Sequence, residues 1–482
     1  MLAILVSPLL CLSAPPPGRV SSLPGAASLG NATYYAGLQR YSSAGATLET
    51  FFFYVQHPDP SAPLVVWMNG GPGASSFGDG LLTELGPFLI NGRSYPQDAA
   101  RRQNASAYTL WSNPSAYSSE GSVLVWEQPA AVGFSRCLSG CPSAWDDNSS
   151  ADASKAFLLS FFESHPEAAA RDLYVTGESY AGVYVPLLAT RLLGATRLRG
   201  IAVGDGCIGW AVSGGCGLDS LSIFVTELER LAPGVPLGLL AETRTKCKGQ
   251  LDVGAQGPDD LSAECAKSLN SVFEEAGEYN EYHWGSPCGP DDHGNWGDGS
   301  GYTCLQGVLE TYLALPEVQQ QLNVISPGQP PRSWQQWDGD SPGFYNISVP
   351  DTQPAYRALI AAKMRVLIYE GLGDTAVPDA GAQKWVPRVA GAGISAARRK
   401  WGAPGEANPH AGDVTVYDSG LTYATVKGAG HMVPSVRPVA ALAMMRAWLR
   451  DEPLPPYLGK RCKRLWLGRG YGKFCPDGAP SL

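Results

Sequence analysis

The sequence runs to 482 residues, of which 44% are apolar and 16% charged, and 35 Lys and Arg against 44 Asp and Glu leave a formal charge of −9. This composition excludes a chain disordered throughout, and an acidic balance with no Lys/Arg block argues against a nucleic-acid partner. Thirteen Trp, 21 Tyr, 57 Gly and 39 Pro with no internal period point away from coiled coils and repeat arrays, toward a loop-rich, aromatic-lined enzyme.

Residues 1–14 carry an apolar run from Leu2 to Leu12 and a small residue, Ala14, before Pro15-Pro16-Pro17. The run is too short to span a bilayer and reads as a signal peptide, although a basic n-region is missing. No later segment offers eighteen uninterrupted apolar residues, so no membrane span is expected. Loss of the leader removes Cys11 and leaves ten cysteines, an even number that full pairing requires. Four Asn-x-Ser/Thr sequons, at Asn31, Asn104, Asn148 and Asn346, fit the same oxidising, glycosylating route. The expected location is the secretory pathway, ending in a vacuole- or lysosome-like compartment or outside the cell.

Residues 15–45, rich in Ala, Gly, Ser and Pro, read as an ordered arm or a processed segment. The first strands fall at Leu48–Val55 and Leu64–Met68, split by the turn cluster His57-Pro58-Asp59-Pro60. Short apolar runs at 123–126, 173–176, 200–203 and 365–369 are further strands, and 152–163 and 180–193 are helices. Strands alternating with helices imply an α/β fold with a mostly parallel central sheet covered on both faces. The alternation stops over 207–345, which hold six of the ten cysteines and read as an inserted, disulfide-rich cap. The expected organisation is a signal peptide at 1–14, a first core part at 15–206, the cap at 207–345, and a second core part at 346–482. That last part ends in a tail stapled by Cys462 and Cys475.

The run Leu173-Tyr174-Val175-Thr176-Gly177-Glu178-Ser179-Tyr180-Ala181-Gly182 is a strand, a sharp turn and a helix, and it resembles a nucleophile elbow. The usual G-x-S-x-G ends here in Ala181, with Gly182 one place later. A hydroxyl needs a base oriented by an acid. Of six histidines, His57 and His165 precede Pro in turns, His283 and His293 fall in the cap, and His410 sits in a Pro/Gly-rich loop. His431 remains, in the glycine-rich loop after the strand-like 421–426, and Asp374 follows another strand. Ser179, Asp374, His431 is the chain order that hydrolases with this elbow use.

Trp67-Met68-Asn69-Gly70-Gly71-Pro72-Gly73-Ala74-Ser75-Ser76, the elbow, Glu127-Gln128-Pro129 with Gly133-Phe134-Ser135, and the Asp374 and His431 loops together resemble the serine carboxypeptidase family, over about residues 35–450. The resemblance implies an α/β-hydrolase fold and release of single residues from the C-termini of peptides or proteins, with no cofactor and no metal. It casts Ser179 as nucleophile, His431 as general base and then acid, Asp374 as its orienter, and the Gly71 and Tyr180 N–H groups as the oxyanion hole. It assigns Asn69, Gly70, Glu84 and Glu178 to the substrate's terminal carboxylate and Met432 to the leaving-residue pocket. Acidic side chains facing a carboxylate must share protons, so binding is expected to favour acidic pH. Departures from the family pattern are Ala74 for a common Cys, one extra residue at Gly78 between Asn69 and Glu84, Val183 for a His, and Ala376 for an acid. An acyltransferase on the same scaffold and a binding protein with a vestigial site are the alternative functions.

Overall fold

The computed structural model describes residues 18–214, 216–253, 260–289, 294–295, 303–334, 344–405, 409–459, 463–466 and 471–474. The leader, His293, Cys462 and Cys475 lie outside them.

Twelve strands form one sheet: β1 (Arg19–Val20), β2 (Thr33–Ser43), β3 (Ala46–Gln56), β4 (Leu64–Met68), β5 (Ser122–Trp126), β6 (Arg136–Ser139), β7 (Leu173–Glu178), β8 (Leu198–Gly204), β9 (Arg365–Gly371), β10 (Ile394–Gly402), β11 (His410–Tyr417) and β12 (Leu421–Val426). Their order is β1-β2-β3-β5-β4-β7-β8-β9-β12-β11-β10, with β6 beside β3. The six from β5 to β12 in that order run parallel, and antiparallel strands flank them on both sides. Every residue of β4, β5 and β7 is buried, as expected of strands covered on both faces. Because side chains alternate, Val65 and Trp67 enter one core with Val123 and Val125, while Leu64, Val66 and Met68 enter the other with Leu124 and Val175. On the second face lie α1 (Asp147–Ser164) and α2 (Ala181–Leu192), through Phe157, Phe161, Val185 and Leu188.

One expectation is corrected: Thr33–Ser43, within the presumed arm, is an eleven-residue strand paired along its length with β3. Its turn, Ala44-Gly45, has positive φ at both residues (49° and 85°), the conformation of tight hairpins. Ala at the first of those positions is unusual, so the hairpin carries no turn signal. His410, assigned to a loop, begins β11.

Between β8 and β9 the chain forms α3 (Ser220–Leu231), α4 (Leu237–Lys246) and α5 (Ala263–Ala276), packed around their own small core of Val225, Leu228, Leu240, Leu269 and Val272. The six cysteines of 207–345 pair among themselves as Cys207–Cys216, Cys247–Cys265 and Cys288–Cys304, and Cys137 pairs with Cys141. The side chains of Asn31, Asn104, Asn148 and Asn346 are all exposed. Among the described residues no helix is long and apolar enough to cross a membrane. At one border of the sheet, β10 presents exposed Arg398 and Lys400 with half-buried Arg399, and at the other β1 is only two residues long.

Candidate active site

Ser179 follows the last residue of β7 and has φ +62°, a left-handed conformation that side chains adopt at a cost of about 1–3 kcal/mol. Its main chain is held on all sides: the N–H donates to Gly204 O (3.0 Å), and the carbonyl accepts from Gly182 N (2.9 Å) and Cys207 N (3.0 Å). The neighbours must be small. A Cβ on Gly182 would stand 2.1 Å from Cys207 O, and one on Gly177 would stand 2.2 Å from Met68 O and 2.7 Å from the Ala181 methyl. Ala181 is thus accommodated in the usual glycine position, and its tight neighbours are the bare positions 177 and 182. A Cβ on Gly70 would lie 2.3 Å from Tyr180 N and 2.8 Å from Ser179 Cβ, so Gly70 lets the loop after β4 lie directly against the elbow. Gly71 follows at φ +100°.

Asp374 and His431 stand on the loops after β9 and β12, two and three strands from the elbow's own. His431 Nδ1 meets Asp374 Oδ2 at 2.6 Å, both side chains buried. Asp374 Oδ1 accepts from Ala376 N (2.8 Å) and Val377 N (3.2 Å), which fixes the carboxylate plane. Burial disfavours the imidazolium, but the charge and hydrogen bond of Asp374, joined by Glu178, outweigh it and hold the His431 pKa above its ordinary value. His431 Nε2 is buried and among the described residues has no hydrogen-bond partner, Ser179 Oγ included. The nucleophile-to-base contact is thus the one part of the expected relay left open, and such contacts tighten when substrate seats. Met432 is half-buried immediately after the imidazole.

The third group gathers beside Ser179. Asn69 Oδ1 accepts from Trp67 Nε1 (2.6 Å), which turns its Nδ2 toward Glu84 Oε1 (3.2 Å) and Glu178 Oε1 (3.1 Å). All three side chains are buried, and the two glutamate carboxyls face one another, so that among the described residues neither Oε2 meets a donor unless the pair holds a proton. Glu84 arrives on Ser76–Leu85, which is wound as a π-helix capped by Ser75. The extra residue at Gly78 fits this wider winding, because an added residue inside a helix is absorbed as a π-turn. Gly78 and Gly80 let the segment pass Trp334 and Asn69, where a Cβ would approach within 2.7 Å and 2.3 Å. Glu127, quoted above without a role, accepts from Ser75 Oγ (2.7 Å) and so anchors the cap of that helix.

Burial raises both acids: Glu84 well above its ordinary range, with the Glu178 charge adding, and Glu178 to about 7. Carboxyls that hold protons more tightly when folded stabilise the fold fully below about 4.5, and that contribution is lost as pH rises through about 7. The melting temperature of the wild type should therefore fall between pH 5 and 8 more steeply than that of Glu84→Gln/Glu178→Gln. Parallel curves would contradict the assignment.

Sequence reasoning missed two neighbours. Asp205, buried at the end of β8, takes φ +45° and accepts from Gly371 N (2.7 Å), and its carboxylate, that of Asp374 and the His431 ring nitrogen lie within 4.8 Å of one another. The 2.6 Å Asp374–His431 bond already commits two of these three groups to each other, so the trio reads as an extension of the acid–imidazole pair. His283, set aside as part of the cap, packs against Gly373 in the Asp374 loop; nothing in its sequence surroundings signals this.

The chain matches the serine carboxypeptidase family over residues 24–451. It is similar to serine carboxypeptidase-like 40 of Arabidopsis thaliana (29% identical; 86% of this chain, 78% of that one) and to serine carboxypeptidase-like 29 of the same plant (28%; 94% and 93%). Its fold is similar to that of Kex1(Δ)p, a prohormone-processing carboxypeptidase from Saccharomyces cerevisiae, with a TM-score of 0.68 at 20% identity, covering 90% of this chain and 95% of that one. An α/β-hydrolase-like sheet, an elbow serine and a family match spanning most of the sequence converge, and the chain belongs to the serine carboxypeptidase family.

Proposed function

We propose that the protein is a serine-type carboxypeptidase that releases single residues from peptide C-termini through an acyl-enzyme, with substrate binding favoured at acidic pH. The observation that carries this reading is the buried Asn69–Glu84–Glu178 cluster beside Ser179. An endopeptidase or esterase has no use for acids there, whereas carboxyls that keep their protons can donate to a terminal carboxylate. In this reading Ser179 Oγ attacks the last peptide carbonyl as His431 Nε2 takes its proton, and the oxyanion meets the Gly71 and Tyr180 N–H groups. The imidazolium protonates the leaving amine, and the C–N bond breaks. Water, deprotonated in turn by His431, bonds to the acyl carbon; the ester C–O bond to Ser179 then breaks, the shortened peptide leaves, and the imidazolium returns its proton to Ser179 Oγ.

With this reading go a core of residues 15–206 and 346–482 capped by 207–345, a cleaved leader at 1–14, glycans on Asn31, Asn104, Asn148 and Asn346, and residence in a vacuole-like or extracellular compartment. The exposure of all four asparagines and the four disulfides support that route.

Timed mass spectrometry of an N-blocked peptide at pH 5 tests the reaction. Loss of one C-terminal residue at a time with wild type, absent with Ser179→Ala, is the expected result. Transfer of an acyl group from an activated ester to an alcohol, with no peptide shortening, would assign an acyltransferase instead.

A further inference from the structure

The segment Asn280–Trp284 of the insertion runs between the loops that carry Asp374 and His431 and is bonded to both through main-chain atoms. The Glu281 carbonyl accepts from Thr375 N (2.9 Å), Thr375 Oγ1 (2.7 Å) and Ala376 N (3.2 Å), and Trp284 N donates to Gly373 O (2.7 Å). On the other side, His431 N donates to the Tyr282 carbonyl at 2.6 Å. The two loops also touch directly, Gly373 N donating to Ala429 O at 2.6 Å, but that contact lies short of the imidazole, and the segment closes the remaining side. The approach demands bare backbone: a Cβ on Gly430 would stand 2.1 Å from Tyr282 O and 2.7 Å from His283 Cα. The Tyr282 ring lies 5.2 Å from that of His431.

The segment takes its own shape from the insertion. Asn280, 2% exposed, accepts from Tyr282 N (3.0 Å) and donates to Gly289 O (2.8 Å). The rings of Tyr279 and Trp284 pack at 4.7 Å, with Phe224 behind Tyr279, and the Cys288–Cys304 bridge follows.

We propose that Asn280–Trp284 is a positioning strap: the insertion holds the Asp374 and His431 loops in mutual register, with Asn280 setting the strap's turn, and so contributes to the chemical step. The proposal rests on the reading of His431 and Asp374 as base and orienter. A displacement of about 1 Å between reacting groups costs on the order of 10²-fold in rate, so a strap that merely loosens should be felt in kcat.

The test compares wild type, Asn280→Ala and Asn280→Asp, which keeps the acceptor for Tyr282 N, all as full-length protein. Asn280→Ala is expected to speed amide hydrogen exchange in the peptides spanning 372–377 and 427–433 together. It should also lower kcat roughly 10- to 100-fold with KM within about twofold, and Asn280→Asp, which keeps that acceptor but sets a carboxyl oxygen against Gly289 O, should recover only part of both losses. Unchanged exchange in those two peptides overturns the strap, as does faster exchange across the whole chain or a change confined to KM. The exchange readout does not depend on turnover. A wild type that shortens no peptide therefore fails the peptidase reading, while the exchange result still decides the strap.

Discussion

Asp374→Asn is expected to lower kcat by about 10⁴-fold with peptide substrates and to leave KM near the wild-type value. The geometry dictates which way the amide turns. Asp374 Oδ1 is gripped by the Ala376 and Val377 N–H groups, so an asparagine keeps its carbonyl oxygen there and presents its NH₂ to His431 Nδ1. The imidazole must then carry its proton on Nε2, the nitrogen that has to accept one from Ser179. The substitution also removes the charge that most strongly raises the His431 pKa, so whatever activity survives should show its acidic limb at lower pH. Steady-state kinetics against pH, with circular dichroism to verify folding, measure both effects. A fall of less than about tenfold would mean that this carboxylate does not orient the base.

The second large effect concerns KM. In the wild type, KM for a free-acid peptide should rise by about tenfold or more as pH climbs through about 7, where Glu178 gives up its proton and buried carboxylates confront the carboxylate of the substrate. The double substitution Glu84→Gln/Glu178→Gln supplies permanent amide donors and should flatten that rise. A C-terminally amidated peptide should show no rise even with the wild type. A KM profile that climbs equally in the wild type and the double variant would remove the glutamates from substrate recognition.

The sheet was legible in the sequence because its central strands are buried on both faces, and segments such as Leu64–Met68 and Leu173–Val175 therefore appear as unbroken apolar runs. The strand at Thr33–Ser43 was not, since it mixes polar with apolar residues and closes on an Ala-Gly turn. In the site, Ser179, Asp374 and His431 were readable as strand-end residues in a fixed chain order. The approach of Glu84 to Asn69 was implied only by resemblance, because residue spacing does not announce a π-helix. The contacts of Glu281 and Tyr282 were invisible for a deeper reason: they are made by peptide carbonyls, which every residue possesses, so no side chain marks them.

The borders of the sheet bear on how the molecule behaves when crowded. An open row of amides and carbonyls invites a strand from a neighbouring molecule, and exposed cations along it make that approach repulsive. On β10 that row is already taken over 400–402 by the chain's own residues 455–457, with Gly402 N donating to Pro455 O (2.8 Å) and Tyr457 N to Lys400 O (3.4 Å), and exposed Arg398 stands on the stretch before it. Main-chain hydrogen bonds do not titrate, so the safeguard against self-association through this part of β10 persists at low pH.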